Sequence, residues 1–203
     1  MSEVFLSVGN AQTIRINRRE AARYLGYRGV LAPDAEALFD VCERELRAVA
    51  APRAVWRTSP VQSDEALVTF SFCKMESAAL AKNLSGCKKA FVFAATLGAG
   101  VDRAMLRLQK TDPAKAAVFD ALASAAVEGW CNEVNEALSQ GRQTCPRFSP
   151  GYGGVALRHQ ADLLQFLDAQ RKLGITLSET FFMSPVKSVT AVIGIRRDED
   201  ETY

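Results

Sequence analysis

Hydrophobic and polar positions follow two different periods along the chain. Apolar residues spaced every three or four positions predict helices over 17–25, 34–50, 76–84, 99–109, 113–139 and 157–173. Period-two alternation and compact apolar runs predict strands over 54–58, 65–72, 89–95 and 186–195. Because the strands lack a regular strand–helix–strand order, the pattern favours an α+β fold with a mixed, largely antiparallel sheet and helices packed on it.

Composition narrows the class of protein. The 203 residues are 48% hydrophobic and 24% charged, as in an ordinary globular domain. A net charge of +2 argues against nucleic acid as a partner, because such proteins concentrate unpaired Lys and Arg. No apolar run is long enough for a signal peptide or a membrane span, and five scattered cysteines contain no Cys-x-x-Cys pair. We expect a cytoplasmic protein with reduced thiols and no membrane partner.

His159 is the only histidine, and it restricts the available chemistry. One imidazole cannot supply a multi-histidine metal site, and no cysteine pair lies near it in sequence. Its flanking residues indicate an exposed position on a polar helix face, so the usual acid–base agent of a hydrolase is missing. We therefore predict no catalytic residue and no metal ligand.

Three segments are candidates for ligand binding, and the first is the glycine-containing turn 96–100. A Gly-x-Gly sequence after a buried strand resembles a dinucleotide fingerprint, but Arg103 stands where the third glycine belongs. A tight strand-to-helix turn explains the segment better, although its glycines would also permit a ligand to approach the backbone. Enzymes that bind a nucleotide on a Rossmann-type fold, independent methyltransferases among them, usually carry a glycine pattern at such a turn. Because that pattern is incomplete here, an enzyme of this kind is disfavoured.

The second candidate is the long helix around Glu128. Small residues cover about two turns of this helix, and Ser124, Glu128 and Cys131 line the edge of its apolar stripe. Two interpretations stay open for Glu128, namely a plain exposed glutamate or an acceptor for the ammonium group of a ligand.

The third candidate is the loop 145–154, which contains two prolines and three glycines. Arg147 can pair with a carboxylate through two hydrogen bonds, and exposed backbone groups suit the edge of an adenine ring. The spacing of Arg147, Gly151 and Tyr152 is a weak pattern by itself, and an ordinary connecting loop is the alternative.

Together these segments resemble a known family, the S-adenosylmethionine-binding activation domain of cobalamin-dependent methionine synthase. The resemblance rests on RFSPGY (147–152), LGITLSETFFMSP (173–185) and Ser188-Val189. Upstream it rests on FVFAAT (91–96) and ALASAAVE (121–128). It covers about residues 88 to 195, while RYLGY at 23–27 is more similar to the short free-standing members of the family.

The resemblance implies a twisted, largely antiparallel sheet in a helmet-shaped or C-shaped fold, with no separate catalytic residue. It divides the chain into an N-terminal α/β portion (1–87), an S-adenosylmethionine-binding portion (88–197) and an acidic tail (198–203). By the resemblance, Arg147 holds the methionine carboxylate and Glu128 the α-ammonium group. The backbone around Ser149 and Gly151 then holds the adenine, and Tyr152 lies where a cobalamin domain docks.

The implied function is reactivation of methionine synthase in methionine biosynthesis. Inert cob(II)alamin on a separate corrinoid-binding synthase subunit is reduced by a flavodoxin-like or ferredoxin-like donor, and S-adenosylmethionine then methylates the cobalt. Service to another corrinoid methyltransferase and a non-catalytic module that only docks on a corrinoid protein stay open as alternatives. Two features depart from the family. Gly153 replaces a frequent proline, which predicts a looser loop. The embedded domain has a further ligand-contacting tyrosine in a longer C-terminal extension, and whether Tyr203 substitutes for it is open.

Overall fold

A computed structural model describes residues 3–197. Its seven helices are α1 Arg18–Tyr24, α2 Pro33–Val49, α3 Ala78–Asn83, α4 Ala99–Thr111, α5 Pro113–Ser139, α6 His159–Phe166 and α7 Ala169–Leu173. The nine strands described are β1 Phe5–Val8, β2 Arg53–Asp64, β3 Leu67–Phe70, β4 Lys74–Glu76, β5 Lys89–Thr96, β6 Gln143–Thr144, β7 Thr176–Leu177, β8 Met183–Ser184 and β9 Ser188–Arg197.

Seven strands form one antiparallel sheet, in the order β4-β3-β2-β5-β9-β6 with β1 also paired to β2. The long strand β2 holds it together, because its first part pairs with β1 and β5 and its end, from Val61, pairs with β3. Strands β7 and β8 form a separate hairpin. The predicted α+β class, an antiparallel sheet flanked by helices, is confirmed.

Helices cover both faces of this sheet. Phe91 and Phe93 of β5 pack with α5 in one core, whereas Val92 and Ala94 pack with α6 in the other. Side chains alternate between the two faces of a strand, and both faces of β5 are buried. Its sequence is therefore apolar throughout and does not alternate with polar residues. Helices α5 and α6 therefore lie on opposite sides of the sheet.

Most predicted elements are confirmed, with differences that have local causes. The helix predicted over 157–173 is two helices, because Asp168 takes a left-handed conformation with φ 52° between them. The strand predicted over 65–72 is shorter, since β2 runs on to Asp64 and Glu65 makes the hairpin turn with φ 35°. Strands β1, β4 and β6 have two to four residues and gave no periodic signal.

The turn after β5 is the tight strand-to-helix turn that the sequence predicts. Gly98 caps α4 with φ +82°, a conformation that favours glycine. At Gly100 a Cβ would lie 2.3 Å from the carbonyl oxygen of Val49, so glycine lets α4 pack closely against the end of α2.

Both predicted portions of the chain contribute strands to the one sheet, since β1 to β4 precede residue 88 and β5, β6 and β9 follow it. The predicted acidic tail 198–203, including Tyr203, lies outside the described residues. Within the described part, no helix has the length and apolar character needed to cross a membrane.

Candidate functional site

Helix α5 is the scaffold of the candidate site. Asp112 caps it by accepting a hydrogen bond from the Lys115 amide at 3.0 Å, and Pro113 fills its first position. Its small residues permit another segment to cross it closely: at Gly129 a Cβ would lie 1.8 Å from the carbonyl oxygen of Arg15. The chain leading into α1 is thereby held across one side of α5 and forms a wall beside it.

Glu128 projects beside this crossing and pairs with Arg147. Nη2 of Arg147 donates to the Glu128 carboxylate, and Nη1 donates to Oδ1 of Asn132 at 3.4 Å. The Arg147 side chain is 19% exposed and that of Glu128 is 47% exposed. The structure therefore brings together the two side chains that sequence analysis assigned to opposite ends of a zwitterionic ligand.

Arg147 reaches α5 because successive side chains point to opposite sides along the extended segment that carries it. The next residue, Phe148, exchanges backbone hydrogen bonds of 2.9 Å in both directions with Val192 of β9. The Phe148 ring is buried in the core on the α6 side. Since neighbouring side chains in an extended segment point to opposite faces, Arg147 is directed to the α5 side.

Several hydrogen bonds fix the segment from Pro146 to Val155. The Ser77 hydroxyl donates to the Gly153 carbonyl at 2.6 Å, the Asn83 amide donates to the Pro146 carbonyl at 3.2 Å, and the Gly151 amide donates to Val155 at 2.8 Å. The expectation that Gly153 loosens the loop stays a prediction. Gly153 has φ +55°, which proline cannot adopt, and its carbonyl is anchored.

The remaining predicted site residues lie on this anchored loop. Ser149 is half-buried, and its carbonyl accepts a hydrogen bond of 3.3 Å from the Tyr152 amide. The Gly151 amide is already bonded within the loop, so it cannot also donate to a ligand without breaking that bond. Tyr152 is 72% exposed, with its ring edge against Phe148 at 5.7 Å between centroids.

A cleft of about 750 Å³ opens between α5 and the segment that crosses it. This volume lies in the range of small-molecule sites. The cleft is lined by Arg15, Ile16, Asn17, Glu20, Tyr24, Ala125, Glu128, Gly129, Asn132, Asn135 and Glu136. Each of its three glutamates is paired with an arginine, Glu20 with Arg23, Glu128 with Arg147 and Glu136 with Arg15, so the cleft carries little net charge. Of the predicted site residues, Glu128 lines the cleft, whereas Arg147 and the loop residues Ser149, Gly151 and Tyr152 do not.

Two residues that line the cleft, Glu20 and Tyr24, perturb each other's pKa. Hydrogen bonding to Arg23 lowers the pKa of the Glu20 carboxyl, with a smaller contribution from Tyr24. Burial, followed by the hydrogen bond to Glu20, raises the pKa of the Tyr24 phenol. At neutral pH the cleft therefore presents a carboxylate beside a neutral phenol.

Several cleft residues were missed by the sequence analysis. Asn132 follows Glu128 by four positions and so lies on the same helix face, a spacing that offered a usable signal. Asn135 also lines the cleft, and its buried Oδ1 has no hydrogen-bond partner among the described residues. Arg15 and Tyr24 come from a segment more than 100 positions away, for which spacing gives no signal.

Two expectations about single residues are corrected, those for Cys131 and His159. Cys131 is fully buried in the α5 core and does not line the helix edge; burial raises the pKa of its thiol to about 12. Ser124 is half-buried, as a residue at the edge of the stripe should be, and accepts a hydrogen bond from Lys187 at 2.9 Å. His159 is buried rather than exposed, at 8%, because the first turn of α6 packs against the sheet.

Neither a scan against protein-family models nor a comparison with curated protein sequences finds a match. Among solved structures, the chain is similar to the crystal structure of the MetH reactivation domain bound to AdoHcy. The TM-score is 0.75 at 18% sequence identity, and the match covers 99% of this chain and 80% of the other. The mixed fold described above, an antiparallel sheet flanked by helices, is the fold of that reactivation domain.

Proposed function

We propose that this protein binds S-adenosylmethionine in the α5 cleft, with the methionine end held between Arg147 and Glu128. The observation that carries the proposal is the pairing of these two side chains beside a cleft of nucleotide-compatible size. The structural neighbour, which was solved with AdoHcy bound, supports a ligand of this class.

The charges explain why a zwitterion suits this position. Without ligand, the Arg147 guanidinium and the Glu128 carboxylate neutralise each other. An α-amino acid group inserted between them gives the guanidinium a carboxylate and gives the carboxylate an ammonium group. The exchange gives each charge a new partner, so neither the guanidinium nor the carboxylate is left unpaired when the ligand is bound. The other two carboxylates of the cleft, Glu20 and Glu136, are paired with Arg23 and Arg15, so we assign them no direct role in binding the sulfonium.

We assign the adenine to the backbone of the anchored loop at Ser149 and Gly151. Since the Gly151 amide is used within the loop, carbonyl oxygens are the groups assigned to the adenine amino group. A carbonyl oxygen has two lone pairs, so the bond from Tyr152 to Ser149 leaves one for a ligand.

The biochemical role that we infer is reductive reactivation of a corrinoid methyltransferase, most directly a methionine synthase, in trans. One electron from a flavodoxin-like or ferredoxin-like donor reduces cob(II)alamin on the partner protein to cob(I)alamin. The methyl group of S-adenosylmethionine then moves to cobalt, and the sulfonium leaves as neutral S-adenosylhomocysteine. This chain positions the methyl donor, and the exposed Tyr152 is assigned to the docking face.

A reconstituted reaction tests this role. The protein, reductant, S-adenosylmethionine and a candidate synthase loaded with cob(II)alamin are mixed, and the visible spectrum is followed for methylcobalamin. Methylation that requires this chain supports the proposal. No spectral change with any corrinoid partner, together with no saturable binding of the nucleotide, would contradict it.

A second candidate is a docking module that has kept the fold and lost the nucleotide. The direct Arg147–Glu128 contact favours it, because both groups are already paired without a ligand. Intact docking on a corrinoid protein, with partner activity unchanged in Arg147→Ala and Glu128→Ala, would support this alternative over nucleotide binding.

A further inference from the structure

A mixed cluster of metal-ligand side chains lies away from the α5 cleft. Cys73, His159 and Asp162 each place one potential donor atom within 4.8 Å of the other two. The imidazole Nδ1 of His159 lies 2.8 Å from Oδ2 of Asp162. Helix α6 carries two of these residues and packs on the opposite side of the sheet from α5. The cluster is therefore independent of the proposed nucleotide site.

Local packing fixes the two halves of this cluster against each other. His159 and Asp162 are three positions apart in the first turn of α6, and Phe166 lies on the same helix face. The Phe166 ring stacks on Phe72 at 4.2 Å between centroids. Phe72 directly precedes Cys73 in the turn between β3 and β4, and the Cys73 carbonyl closes that turn by accepting from Phe70 at 2.9 Å. The thiol is thus held beside the first turn of α6.

We propose that Cys73, His159 and Asp162 form a Zn²⁺ site that joins the β3–β4 turn to α6. Zinc readily binds sulfur and imidazole nitrogen, whereas the hard cations magnesium and calcium prefer oxygen. The carboxylate of Asp162 completes the set of three ligands. Thiolate and carboxylate together carry two negative charges, which match the charge of the ion. Binding releases the thiol proton of Cys73 to the buffer, because a zinc ligand must be deprotonated.

The distances fit this assignment after small side-chain rotations. Donor atoms bound to a tetrahedral zinc lie roughly 3.3 to 3.6 Å apart, given its usual bond lengths. The observed separations, from 2.8 Å up to a limit of 4.8 Å, bracket these values. The Asp162 side chain is 39% exposed while that of His159 is 10% exposed, so an ion can enter from the Asp162 side. Three protein ligands plus one water would complete the usual four-coordinate shell of zinc.

Titration of the metal-free full-length protein with Co²⁺ tests the site directly, because cobalt replaces zinc and reports its ligands by absorption. We expect one Co²⁺ ion to bind per chain, with a sulfur-to-cobalt charge-transfer band and visible d–d bands. Added Zn²⁺ should displace the cobalt and remove these bands. Cys73→Ser should abolish the charge-transfer band. His159→Gln and Asp162→Asn should each weaken Co²⁺ binding at least tenfold, because a ligand matters at least as much as an outer-shell partner.

Two control variants keep this test specific. Cys42→Ala removes a buried cysteine of the other core, and Asp168→Asn removes an exposed carboxylate just beyond α6; both should bind Co²⁺ as the parent does. Circular dichroism of each metal-free variant establishes that it is folded. Absence of the charge-transfer band in the folded parent protein, or equal binding by the parent and all three ligand variants, would overturn the zinc site. Neither result bears on nucleotide binding at Arg147.

Discussion

The proposed contact between the guanidinium of Arg147 and the ligand carboxylate is the interaction most open to measurement. Replacing Arg147 by alanine removes the group proposed to hold that carboxylate and leaves the loop anchors at Ser77 and Asn83 in place. Because the Arg147 side chain is 19% exposed, its pairing with a ligand is largely desolvated. Loss of one partner from such a pair costs about 2 to 4 kcal/mol, or roughly a 30- to 700-fold rise in Kd.

The assay compares two ligands by titration calorimetry, S-adenosylmethionine and its decarboxylated analogue. The analogue lacks the carboxylate, so the parent protein and Arg147→Ala should bind it with nearly equal affinity. For S-adenosylmethionine itself the variant should show the full loss. Opening the Arg147–Glu128 contact costs the parent protein the same for both ligands, so this cost cancels when the loss for one ligand is compared with the loss for the other.

Arg171→Ala is the matched control for this comparison. It makes the same charge change on α7, where the side chain is 74% exposed, and should leave both affinities unchanged. An equal loss for both ligands in Arg147→Ala would indicate damage to the loop instead of a lost carboxylate contact. No loss for either ligand would refute the assignment of Arg147.

Three further predictions concern the framework. Burial raises the pKa of the Glu43 carboxyl, but hydrogen bonds from Arg47 and Arg18 lower it on balance. Glu43→Gln should therefore reduce the free energy of unfolding by about 1 to 3 kcal/mol at pH 7 in urea titrations. That difference should be complete above the ordinary carboxyl pKa of 4.5 and should vanish as the pH falls through the lowered value; a constant difference down to pH 2 would contradict it. Gly129→Ala should cost about 1 to 3 kcal/mol in the same assay, because its Cβ would lie 1.8 Å from the Arg15 carbonyl oxygen; equal stability would show that the crossing chain can move. Four of the five cysteines are buried and burial raises the pKa of the remaining thiol, Cys73, to about 12, so a disulfide reagent at pH 8 should label the native protein slowly and all five thiols only after unfolding; rapid labelling of several native thiols would contradict the packing.

The elements that the sequence predicts best are those with long, unbroken patterns. Helix α5 begins at Pro113 and ends at Ser139, in agreement with the predicted range, because a capping aspartate and a proline mark its start. The break between α6 and α7 could not be predicted, since Asp168 makes it without glycine or proline. The short edge strands escaped for a different reason: two to four residues are too few to show a period.

Sequence spacing could not predict that Arg147 pairs with Glu128. The resemblance singled out both residues, but their contact depends on which face Phe148 takes in its bridge to β9. The opposite wall of the cleft comes from residues near Arg15, and the one local trace of it is a glycine inside a long helix, Gly129. His159 was misplaced because its neighbours are polar, although the sheet covers the face on which it lies.

A crystal structure of this protein soaked with S-adenosylhomocysteine tests the central claim most directly. The account predicts the amino-acid carboxylate on the guanidinium of Arg147 and the ammonium group on Glu128, with the adenine along the backbone at Ser149 and Gly151. Ligand density at another position, or an Arg147–Glu128 contact that persists unchanged under saturating ligand, would contradict it.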